Sequence, residues 1–193
     1  MAINYPNKKI SYNKETLYAN RGMSLEKELN ESNKYYRAHG IALIHKKPTP
    51  VQIVKVDYPK RASAVIKEAY FRQPSTTDYN GIYKGKHIDF EAKETSSKTA
   101  FPLQNIHKHQ IEHIQQIINL GGISFVIIRF KKLNKTYLMD GQDIVHFYNS
   151  YLKDGRKSLS IKTFMEKGYE IEQKLYPKLD YLKVVNSLYF GAK

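Results

Sequence analysis

Thr76-Thr77-Asp78-Tyr79-Asn80-Gly81, followed beyond a Lys84-Gly85 turn by Ile88-Asp89-Phe90-Glu91-Ala92-Lys93-Glu94-Thr95, is the stretch that decides the fold. Residues 76–83 and 86–93 read as two extended segments joined by a tight turn, a hairpin signal. Side chains alternate along a strand, so Glu91 and Lys93 share one face while Ala92 points the other way into packed interior. The hairpin carries Asp78 back beside them. Two carboxylates gathered at one point repel each other unless a divalent cation lies between them. Mg²⁺ suits such a pair because it takes hard oxygen ligands, keeps several waters and can lend one to phosphodiester hydrolysis; Mn²⁺ is a plausible substitute. Lys93 then either lowers the pKa of the attacking water or neutralises charge developing on the phosphate.

Working outward, Ser24 with Glu26 and Glu28 in a first turn, then Leu25, Leu29 and Tyr35-Tyr36 at helical spacing, predicts a helix over 24–38 that stops at Gly40. Residues 41–44 form a short apolar strand, and 45–50, with Pro48 and Pro50, a turn. Downstream, 106–120 predicts a helix ended by Gly121-Gly122, 123–130 the most hydrophobic strand, and 136–139 its partner. Helices over 144–153, 161–167 and 181–189 close a mixed α/β domain without internal repeats.

Between the two halves lies a strand at 51–58, a turn at 59–63 and a partner strand at 64–71, a long hairpin or arm. From His45 to Arg72 there are seven basic residues, Lys46, Lys47, Lys55, Lys60, Arg61, Lys67 and Arg72, against Asp57 and Glu68, a net +5. A hairpin of that charge has little reason to enter a core, so it is expected to project as a basic stalk, about 45–72, that contacts DNA. Tyr70 or Phe71 at its end could stack on an unpaired base. Residues 1–20, rich in Asn, Lys and Tyr and without periodicity, are expected to be a flexible basic arm ahead of one domain over 21–193.

Composition narrows the class. With 32 Lys and Arg against 18 Asp and Glu in 193 residues, the chain carries +14, a field that draws polyanions and puts nucleic acid first among partners. A ribosomal or packaging role is the bland reading of the same charge. No apolar run approaches the ~20 residues needed to cross a bilayer, no basic amphipathic helix with a wide apolar face is present, and residues 1–15 have no signal-like core. No membrane partner is expected. The lack of cysteine excludes disulfides and thiolate zinc sites and agrees with a cytoplasmic location.

The spacing Asp78, twelve residues, Glu91-Ala92-Lys93 is the PD-(D/E)xK nuclease pattern with Thr77 in place of the usual proline. Longer runs carry a stronger likeness. Asn20-Arg21-Gly22-Met23-Ser24-Leu25-Glu26, His45-Lys46-Lys47-Pro48-Thr49-Pro50-Val51-Gln52-Ile53-Val54, Ala69-Tyr70-Phe71, Ser75 to Gly81, Ile88 to Thr95 and Phe101-Pro102-Leu103-Gln104-Asn105 resemble the RecU family of bacterial Holliday junction resolvases, from about residue 20 to Leu179-Asp180-Tyr181-Leu182. The resemblance implies a restriction-endonuclease-like mixed β-sheet flanked by helices. It also implies a homodimer that uses magnesium to nick opposing strands of a four-way junction symmetrically, in recombination, repair and chromosome segregation alongside other recombination proteins. It places metal ligands on Thr76, Asp78, Glu91 and Gln110, and the transition-state-stabilising lysine on Lys93. Gln110 can also be argued from below, since an amide in the first turns of the helix after Phe101-Pro102 can reach back over the catalytic strand. Arg21-Gly22 followed by Glu26 resembles the archaeal junction resolvases, where such a Glu joins the metal site, although Glu26 is equally a favourable charge at a helix start. Arg21 is taken, with the stalk cations, as a DNA contact.

Asp89 and Glu94 flank the motif and are set outside the metal site, as facing the opposite side of the strand or lying beyond its end. His109 and His113, four apart on one helical face, invite zinc, but with no evident third ligand phosphate contact or helix surface is the preferred reading. Two other functions are carried alongside junction cleavage: a restriction-type or repair endonuclease on duplex DNA, and a non-catalytic DNA-binding modulator of recombination.

Overall fold

The computed structural model describes residues 24–58, 63–72, 76–153 and 155–191. The N-terminal arm and the DNA-contact candidates Arg21, Lys60 and Arg61 lie outside the described residues. A six-stranded sheet runs through the centre in the order β1 (Ala42–Lys46), β4 (Tyr79–Tyr83), β5 (Lys86–Thr95), β7 (Ile123–Phe130), β8 (Lys135–Asp140), β10 (Tyr169–Glu170). Every neighbouring pair is antiparallel except β5 and β7, which are parallel with Glu91 opposite Val126. A parallel pair needs a crossover, and here it is β6 (Ala100–Pro102), a 3₁₀ turn (Leu103–Asn105) and helix α2 (Lys108–Asn119).

Helices α1 (Leu25–Ala38) and α5 (Tyr181–Tyr189) cover one face; α2, α3 (Gly141–Leu152) and α4 (Ile161–Lys167) cover the other. All eight residues of β7 are therefore buried, Phe125 and Ile127 under the first layer and Val126, Ile128 and Phe130 under the second. This two-sided burial explains why apolar residues fill both faces of the strand, with Ser124 and Arg129 its polar members. Across β4, β5 and β7 the rings of Tyr79, Phe90 and Phe125 stack at 4.8 Å between successive centroids, with Tyr181 of α5 tilted against Phe90 at 5.2 Å. Gly81 is dictated by packing, because a Cβ there would lie 2.0 Å from the Leu43 carbonyl oxygen of β1.

Helix α1 starts as expected, with Ser24 Oγ accepting from the Lys27 N–H at 3.3 Å, and Gly40 follows it at φ +63°. Its first N–H, on Leu25, donates to Glu94 Oε1 at 2.9 Å. Glu94 thus faces α1 and anchors it to β5. Deeper in the same layer the Glu28 carboxylate and the Arg129 guanidinium meet at 2.5 Å, both buried, and Arg129 Nε also donates to Thr136 Oγ1 at 3.0 Å.

The stalk is a separate two-stranded ribbon, β2 (Val51–Asp57) with β3 (Val65–Phe71), bulged around Val54. All its residues are exposed except half-buried Val56, so no core covers it. Its base is shorter than expected: His45 and Lys46 continue β1 in the main sheet, and the Lys47 N–H extends that ladder to the Asp78 carbonyl at 2.7 Å. Strands β6, β9 (Ser158–Ser160) and β10 were not anticipated, since two or three residues are too few to display a period of two. Among the described residues no helix is long and apolar enough to cross a membrane.

Removing one partner from a buried ion pair leaves a desolvated charge, so Glu28→Ala is expected to lower unfolding free energy by about 3–5 kcal/mol in urea titrations. The apolar double variant Glu28→Leu with Arg129→Met should recover most of that loss.

Candidate active site

The acidic site forms where β5 runs on past the start of β4 while still paired with β7. Glu91 sits on the α2 face of β5 with no accessible surface. Asp78 lies one residue before β4, and the β4–β5 register, which pairs Tyr79 with Phe90, places it across from Glu91. The Asp78 N–H donates to Glu91 Oε2 at 3.1 Å, and the Ala92 N–H donates to Asp78 Oδ2 at 3.4 Å. Lys93, two residues on and on the same face, brings Nζ to 2.7 Å from Glu91 Oε1 while keeping about a fifth of its side chain exposed. Strand alternation has therefore gathered the three groups as the sequence spacing predicts.

Burial pushes the Glu91 carboxyl up to about 7; Lys93 opposes that rise and the Asp78 charge adds to it. An anion that water cannot reach, beside a second carboxylate, is poorly stabilised by one ammonium alone. A hard divalent cation fits this donor set, and Asp78 and Glu91 are the carboxylates that would hold it. Among the described residues no group of three or more His, Cys, Asp or Glu side chains converges to hold a metal, so the remaining ligands would be backbone, amide or hydroxyl oxygens and water.

Gln110 is buried in the first turn of α2, where Oε1 accepts from the His107 N–H at 3.0 Å in a capping box. That bond fixes the amide, and a carbonyl oxygen still has a second lone pair to offer. Thr76 precedes the strand and is half-buried, its hydroxyl 3.4 Å from the Thr77 carbonyl oxygen. Glu26 lines a cleft of about 270 Å³ together with Asp78, Lys93 and Lys46. Its carboxylate is paired with Lys46 Nζ at 2.6 Å, so both are engaged with each other at the cleft edge.

Three residues are placed differently from expectation. Asp89 lies on the same face as Glu91, two residues before it, and is 1% exposed; it does not alternate to the other side. Lys47, expected on the stalk surface, turns inward to Asp89 Oδ2 at 2.7 Å because it continues the β1 ladder. His113 is half-buried, and its Nε2 lies 3.3 Å from Asp89 Oδ1. His109 is held below the usual histidine range, first by burial and then by the charges of His107 and Lys93. The Asp89 group was missed although its signal was available in the sequence: residues 89, 91 and 93 share one parity.

On the stalk, Phe71 is 83% and Tyr70 60% exposed. Among the described residues both rings are largely uncovered. Tyr70 donates to Glu68 Oε1 at 2.5 Å, Lys67 pairs with Asp57 at 2.6 Å, Arg72 donates twice to Gln52 Oε1, and Lys55 is exposed.

A family described as "Recombination protein U" matches residues 20–187, nearly the whole chain. The chain belongs to the RecU family. Similar curated proteins are named "Holliday junction resolvase RecU" in Bacillus thuringiensis (strain Al Hakam), Bacillus cereus (strain AH820) and Bacillus anthracis (strain CDC 684). Each is 55% identical over 201 aligned positions, covering 99% of this chain and 100% of the relative. The RecU likeness thus spans the acidic site and the stalk together, and the mixed α/β architecture is that of a restriction-endonuclease-like nuclease.

A carboxyl pushed up to about 7 keeps its proton in the folded chain above the ordinary carboxylate range. The fold therefore loses stability as pH rises through that window. Glu91→Gln, freed of this titration, is expected in chelator to melt at or above the parent temperature at pH 8, with the advantage vanishing near pH 5. Calorimetric scans across that range check the sign, and a variant increasingly unstable with pH would contradict it.

Proposed function

We propose that this chain is a Mg²⁺-dependent endonuclease that resolves Holliday junctions by paired nicks in opposing strands during homologous recombination and repair. The observation that carries the reading is the meeting of Asp78, Glu91 and Lys93, with Asp78 and Lys93 lining the cleft and Glu91 buried beside them. A divalent cation bound there supplies a Lewis acid for a non-bridging phosphate oxygen and a water of lowered pKa. The protein's own residues do the rest. Asp78 and Glu91 hold the ion, with Thr76 and Gln110 as candidate further ligands and Glu26 at the rim. Lys93, partly exposed and 2.7 Å from Glu91, can reach the same phosphate and offset the charge that develops as the scissile bond breaks.

Branched DNA must be read by shape, which favours phosphate contacts over base edges. The stalk ribbon is suited to such contacts, since Lys55, Lys67 and Arg72 lie on it or at its end and Phe71 presents a bare ring at its base, able to stack on a base unpaired at the crossover. Paired nicks call for two sites related by a twofold axis, hence a homodimer. Recombination proteins are the natural partners of such an enzyme and the cytoplasm, with its chromosome, is the natural place, in support of chromosome segregation.

A mobile four-way junction and a linear duplex of the same sequence, incubated with protein in Mg²⁺, Ca²⁺ or chelator, test the reading directly. The parent should nick the junction symmetrically in Mg²⁺ only and leave the duplex intact; equal cleavage of the duplex would point instead to a restriction-type or repair endonuclease. Glu91→Ala should abolish nicking, and Lys93→Met should slow single-turnover cleavage by roughly 10²–10³-fold with junction affinity kept. Phe71→Ala is expected to weaken junction binding in Ca²⁺ by about 1–3 kcal/mol, measured by fluorescence anisotropy.

A further inference from the structure

Beneath the acidic pair lies a second charged group that the proposed reaction does not use. Asp89 is 1% exposed, yet its carboxylate accepts from the Thr77 hydroxyl and from Lys47 Nζ at 2.7 Å, and His113 Nε2 stands 3.3 Å away. The Lys47 ammonium also donates to Thr77 Oγ1 at 3.2 Å. A buried ion pair is often no more stabilising than apolar packing of the same shape, so stability alone is a weak reason for this arrangement. Its position suggests another. Residues 76–78 stand outside β4, with Asp78 at the last bond of the β1 ladder, and the Lys47–Asp89–Thr77 group grips that segment immediately before Asp78. The Lys47 N–H holds the Asp78 carbonyl from the other side at 2.7 Å. Asp89 itself is a poor candidate ligand, because its oxygens are engaged and its Cα lies two residues, roughly 6.6 Å, down the strand from Glu91.

We propose that Asp89, Lys47 and Thr77 form a positioning network that fixes the Asp78 carboxylate at the distance from Glu91 that a divalent ion requires. The inference rests on the assignment of Asp78 and Glu91 as the ion's ligands. Ligand groups must be held to within about 0.5 Å to work, and loss of the residues that orient them commonly lowers metal affinity by about 10–100-fold.

The test uses the full-length protein and four variants: Thr77→Val, Thr77→Ser, Asp89→Asn and Glu91→Gln. Mn²⁺ binding without DNA is measured by titration calorimetry, junction affinity in Ca²⁺ by anisotropy, single-turnover cleavage in Mg²⁺, and melting temperature in chelator. Thr77→Val, nearly isosteric and therefore expected to fold, should weaken Mn²⁺ binding by about tenfold or more and slow cleavage in parallel, with junction affinity within about twofold of the parent. Asp89→Asn should do the same or more, and Thr77→Ser, which keeps the hydroxyl, should restore both readouts. Parent-like Mn²⁺ binding and cleavage in Thr77→Val, or a Thr77→Ser variant as impaired as Thr77→Val, would overturn the network. Glu91→Gln separates the two levels. If it is inactive while Thr77→Val is parent-like, only the network fails; if it cleaves like the parent, the site assignment fails and takes the network with it.

Discussion

A carboxylate without accessible surface, Glu91, sets the terms for everything around it. Burying such a group opposes folding unless cations or donors meet it. The chain supplies Lys93 at 2.7 Å and the Asp78 N–H at 3.1 Å, and then brings up a second carboxylate that worsens the balance. This is an arrangement with a deficit of positive charge at one point, and the fold holds it in place from both sides of the sheet.

On the α1 and α5 side, stacked Tyr79, Phe90 and Phe125 make a rigid apolar backing for the strands that carry Asp78 and Glu91. The Glu94 bond to the start of α1 and the Glu28–Arg129 pair fasten the same helix to β5 and β7. On the α2 side the strand is acidic and basic rather than apolar, and Asp89, Glu91 and Lys93 follow one another at alternate positions. A single strand thus separates a hydrophobic core from a reactive edge through its two-residue alternation. Function and fold are tied together at this strand, because a register slip of one residue would exchange the two faces.

The stalk obeys the opposite logic. Its ribbon exposes Ile53, Val54, Val65 and Ile66 as well as its charges. Two strands without a third layer are marginal by themselves, so a ribbon like this is suited to gain order from whatever it touches. For a chain of +14, that is most readily a polyanion of defined shape.

Periodicity and spacing determined a good deal unaided. The helix bounds at 161–167 and 181–189, the predominantly apolar β7, the stalk ribbon, and the convergence of Asp78, Glu91 and Lys93 follow from local alternation, capping and turn residues, which act over a few positions of chain. Tertiary structure alone decided what depends on partners far apart in sequence. Lys47 is drawn inward 42 positions away to Asp89, Glu26 is paired with Lys46, and Arg129 meets Glu28 across 101 positions. In each case the sequence displays a charge but not the charge it faces, and a buried charge is defined by its neighbour.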